Sequence, residues 1–104
     1  MTSVPIACSL SAADYRERLE EIADVGQSSL TEVEEHPHET VLHFGYSVST
    51  ADKLRTIVSK EAACCAFLDL SLRTSKSELV LTVRAPEAAQ PIVTDLIRSF
   101  RGVN

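Results

Sequence analysis

Between Leu68 and Val83 apolar residues recur at every second position on both sides of a polar break, and no other feature of the chain constrains its fold as tightly. Leu68, Leu70 and Leu72 alternate with Phe67, Asp69, Ser71 and Arg73, and Leu79, Leu81 and Val83 repeat the pattern after Ser75-Lys76-Ser77. Successive side chains of a strand point to opposite faces. A period of two with apolar residues on one side therefore describes a hairpin that buries one face and wets the other. Such a sheet needs helices over its apolar face only, which points to an antiparallel α+β arrangement.

The remaining elements fit that frame. Val4, Ile6, Cys8 and Leu10 alternate as in a half-buried strand, with Cys8 pointing inward. Ser11 and Asp14 form a capping-box pattern, and Tyr15, Leu19, Ile22 and Ala23 recur at helical spacing until Gly26, predicting a helix over 12–25. A weak acidic strand over Leu30 to Glu35, a turn at His36-Pro37-His38 and a stronger strand from Val41 to Tyr46 predict a further hairpin, with Leu42, Phe44 and Tyr46 inward. Ser49 and Asp52 open a second capping box, and Leu54, Ile57, Val58, Glu61, Ala62 and Cys65 share one helical stripe. Pro86 suits the first turn of a last helix whose apolar face is Ile92, Val93, Leu96, Ile97 and Phe100, with Gly102 at its end. The predicted order is β-α-β-β-α-β-β-α: an antiparallel-rich sheet of about five strands with helices mainly on one face. All 104 residues form one domain, since no linker or low-complexity tract interrupts them.

Charge and cysteine usage narrow the function. Fifteen acidic against ten basic residues give a net charge of -5, which disfavours nucleic acid as a partner. The opening residues lack a basic leader, and no uncharged stretch reaches the roughly 20 residues a bilayer span requires. Cytoplasmic localisation without membrane association is expected. Three cysteines are an odd number for a disulfide framework, so reduced thiols are expected.

Those thiols are the concentrated chemical signal. Cys64 and Cys65 fall where the second helix should give way to a strand. Neighbouring strand side chains point to opposite faces, so a core can absorb only one of the pair. Cys8 alone, on an apolar face, is more often a small core hydrophobe than a ligand. If the first strand brings it alongside, three sulfurs make a soft site for Hg(II) or Cu(I), or for Zn(II) with a fourth ligand. Glu61, one helical turn before the pair, is the nearby carboxylate. His36 and His38 read as incidental turn residues and His43 as an outward-facing strand residue. The acidic run Glu32, Glu34, Glu35 and Glu39 reads as a solvated edge strand.

Electrostatics favours metal over a free nucleophile. A reactive thiolate needs a cation, an imidazole or a helix N-terminus nearby, whereas the pair sits at a helix C-terminus beside the negative Glu61. A thiophilic ion displaces the protons itself.

Ile6-Ala7-Cys8-Ser9-Leu10, Glu61-Ala62-Ala63-Cys64-Cys65-Ala66-Phe67-Leu68-Asp69-Leu70-Ser71-Leu72, and Leu79-Val80-Leu81-Thr82-Val83 with Ala85-Pro86-Glu87 resemble a group of small, mostly uncharacterised bacterial proteins. These share a Glu-x-x-Cys-Cys core and are associated with mercury or other heavy-metal resistance. A proline follows the pair in many of them; here the residue is Ala66. The resemblance implies a heavy-metal-linked thiol protein with Cys8, Cys64, Cys65 and Glu61 as the matching positions. Three functions follow as expectations. The first is a soft-metal-binding protein for sequestration, transfer or sensing. The second is a thiol enzyme acting on an organometal or another thiol-reactive substrate, with Glu61 moving a proton. The third is a structural module with packing cysteines, forming a homodimer through the strand near Glu32 or through its polar faces.

Overall fold

A computed structural model describes residues 12–64, 68–75 and 77–102. Their elements run α1 (Ala12–Ser29), β1 (Leu30–His36), β2 (Glu39–Gly45), α2 (Val48–Cys64), β3 (Asp69–Thr74), β4 (Glu78–Arg84), a 3-10 turn (Glu87–Ala89) and α3 (Gln90–Phe100). The architecture is α+β: a four-stranded antiparallel sheet in the order β1-β2-β4-β3, with three helices. Two hairpins therefore lie side by side, joined through α2, and β1 and β3 are the edges. Four strands stand where about five were expected; the first, Val4 to Leu10 with Cys8, lies outside the described residues.

The alternation predicted from sequence sets the register. Leu42 pairs with Leu81 and Thr40 with Val83 across β2 and β4, while Leu70 and Leu72 of β3 pair with Val83 and Leu81. Leu42, Phe44, Leu79, Leu81 and Val83 are all buried on one face, under Ile22 and Val25 of α1, Leu54 and Ile57 of α2, and Val93, Ile97 and Phe100 of α3. Phe44 and Phe100 meet edge to face with centroids 5.4 Å apart, locking α3 to the centre of the sheet. The opposite face carries no helix among the described residues.

Several boundaries differ from expectation, each for a local reason. Helix α1 does not stop at Gly26 but runs through it to Ser29. A Cβ at position 26 would lie 1.6 Å from the Phe100 carbonyl oxygen, so this glycine is a point of backbone contact between α1 and α3, not a cap. Helix α2 begins at Val48 and is capped by Ser47, whose Oγ accepts from the Thr50 N–H at 3.0 Å. The expected Ser49–Asp52 box is not used, and Asp52 accepts from Arg55 instead. Tyr46 lies beyond the end of β2 and is 44% exposed, and Ala62 of the α2 stripe is exposed too. Pro86 precedes the 3-10 turn, and α3 starts only at Gln90, which places Pro91 in its first turn, where a missing N–H is tolerated. Gly102 closes α3 with φ 75°, donating to the Ser99 carbonyl at 3.0 Å.

Candidate functional site

The centre suggested by the sequence lies at the C-terminal turn of α2. Helix α2 is described as far as Cys64. Cys8, Cys65 and the Cys64 side chain lie outside the described residues, and Glu61 lies within them. It is 8% exposed, buried despite its charge. Arg18 of α1, itself 6% exposed, donates from Nη1 to Glu61 Oε2 at 2.6 Å, joining the two helices through an interior ion pair.

Arg18 is the partner of Glu61 that the sequence reading missed, although a signal for it existed. It falls three residues after Tyr15 and four before Ile22, within the apolar stripe of α1, just as Glu61 falls within that of α2. One charge in an apolar stripe reads as an intruder; opposite charges in two stripes read as a pair. The consequence for the thiols is direct. Glu61 does not present an uncompensated negative charge to the cysteine pair, because a guanidinium is bonded to it. Lys60 turns towards α1, with Nζ 3.5 Å from Glu21 Oε1.

The histidines sit elsewhere. His43 is on the sheet face opposite the described helices, where its Nε2 is 2.5 Å from Glu34 Oε2 on β1 and its Nδ1 is 3.3 Å from Glu78 Oε1 on β4. His36 Nε2 lies 3.6 Å from the other oxygen of Glu34. The hydrogen bond to Glu34 raises the His43 pKa above its ordinary value; burial opposes this and Glu78 assists it. The same bond lowers that of Glu34. These groups form a charge network tying β1, β2 and β4 together, where sequence reading saw only an outward histidine. Among the described residues no group of three or more His, Cys, Asp or Glu side chains has the arrangement of a metal site. No described helix is long and apolar enough to cross a membrane.

Comparison of the chain with family models, with curated proteins and with solved structures finds no match in any of the three.

Proposed function

We propose that this chain is a cytoplasmic protein that captures a thiophilic metal ion, of the Hg(II), Cu(I) or Zn(II) class, as its cargo. Cys64 and Cys65 supply the first two sulfurs and Cys8 the third. Glu61 stands nearby, behind the sulfurs, as a carboxylate outside the ligand set or as a proton acceptor. The observation that supports this reading is the buried Arg18–Glu61 pair one helical turn from Cys64. Burying an ion pair costs desolvation that a pair of aliphatic side chains would avoid, so an interior charged pair is a weak choice for stability alone. Its position at the end of the helix that bears the cysteines gives it a use: a polar, proton-accepting environment next to thiols that must ionise on binding an ion.

Native mass spectrometry of the reduced protein, offered Hg(II), Cu(I) and Zn(II) in turn, tests the reading. One ion per chain is expected to remain bound to the unaltered protein, with retention lost in the Cys64→Ala, Cys65→Ala double variant and weakened by Cys8→Ala. Failure of the unaltered protein to retain any of the three, or unchanged retention by the double variant, would overturn it.

A further inference from the structure

The sheet face opposite the described helices has a charge pattern that fits a second copy of itself. Registers place Glu32 of β1 beside His43 of β2, His43 beside Val80 of β4, and Val80 beside Arg73 of β3. One row further along, Glu34, Val41, Thr82 and Ser71 lie side by side. The β1 edge of this face is thus acidic and the β3 edge carries Arg73. The middle, Val41, Val80 and Thr82, is half-buried and weakly polar. Glu32 and Arg73 are both exposed, and neither makes an ion pair among the described residues.

We propose that two copies of the chain associate through these faces, related by a two-fold axis that runs parallel to the strands between β2 and β4. That rotation lays the β1 edge of one copy over the β3 edge of the other, and β2 over β4. Glu32 then faces the partner's Arg73, twice per dimer. Glu39, which already accepts from Arg84 at 2.7 Å within its own chain, faces the partner's Arg84 and completes an alternating square of charges. Val41 lies over the partner's Thr82, and His43 over the partner's Val80. The other in-plane two-fold, running across the strands, would set Glu34 on the partner's Glu32 and is opposed by like charge. Stacking with strands nearly aligned is the ordinary geometry for two twisted sheets.

The area sets the strength. Four strands about 4.8 Å apart, rising about 3.4 Å per residue, three of them over seven residues and β3 over six, offer a face of roughly 450 Å² per copy. That is near the low end for specific association, so the dimer is weak and reversible, its register chosen by charge.

Sedimentation equilibrium of the full chain from about 10 µM to 1 mM, a range suited to weak complexes, tests this directly. The unaltered chain is expected to show a monomer–dimer equilibrium. Arg73→Glu and Glu32→Arg are each expected to raise its dissociation constant by about tenfold or more, because each sets like charges across the interface twice. Both positions are exposed, and circular dichroism of each variant checks that the fold is kept. An equimolar mixture of the two variants restores both opposite-charge contacts in the heterodimer and is expected to associate as well as the unaltered chain. A monomer throughout the range overturns the proposal. So does a mixture no tighter than its components, which would place any dimer on another surface or in another register.

Discussion

At the scale of single residues, the structure turns on charges placed where hydrocarbon would be simpler. Glu61→Leu removes the carboxylate that the buried Arg18 guanidinium meets at 2.6 Å, and is expected to destabilise the fold by roughly 3–5 kcal/mol in urea unfolding. Arg18→Met added to Glu61→Leu is expected to recover most of that loss, since two apolar side chains avoid the desolvation. A double variant that is stable yet retains less metal in the mass-spectrometric assay would show that the pair serves the thiols; equal retention would make it purely structural. On the other face of the sheet, the bond between His43 and Glu34 predicts a pH dependence with a definite sign. His43 is raised above 6.5, so the stability it contributes is complete below that value and lost as pH rises through its folded-state pKa. Glu34 is lowered below 4.5, so its contribution is complete above that value and lost as pH falls through its folded-state pKa. Melting temperature is expected to fall more steeply above pH 6.5 for the unaltered chain than for His43→Gln; parallel profiles would remove His43 from the account. Glu61 was legible in the sequence because its neighbours on the stripe are apolar. Arg18 and the two carboxylates around His43 were not, because their proximity depends on which helix packs on which and on strand register.

At the scale of elements, periodicity identified every described helix and strand, and the errors fell at their ends. Gly26 is the instructive case, because glycine is read from sequence as a helix stop and here lies inside one. Propensity alone predicts that Gly26→Ala stabilises α1 by up to about 1 kcal/mol. Contact with the Phe100 backbone reverses the sign: the added methyl has no room unless α1 and α3 separate, and a loss of at least about 2 kcal/mol is expected from overpacking. Thermal unfolding of Gly26→Ala decides between the two, since a raised melting temperature would mean that the helices are not in backbone contact. The misplaced start of α2 has the same kind of origin. Two serines two residues apart both offer a capping oxygen, and the chain's exit from β2, where the Tyr46 N–H donates to the Ser77 carbonyl at 3.2 Å, selects Ser47.

At the scale of the whole molecule, the two hairpins and their inward faces followed from period-two alternation, because a strand's side-chain geometry fixes which residues share a face whatever lies beyond it. Net charge and the odd cysteine count were equally legible, since they depend on composition alone. The order β1-β2-β4-β3, the packing of α1 on α3 at Gly26, the meeting of Arg18 with Glu61 and the charge rows on the outer sheet face all join residues far apart in the chain. A sequence pattern specifies what a segment must bury, but not which other segment buries it. That choice is made by the packing of all the segments at once, and tertiary structure alone decided it here.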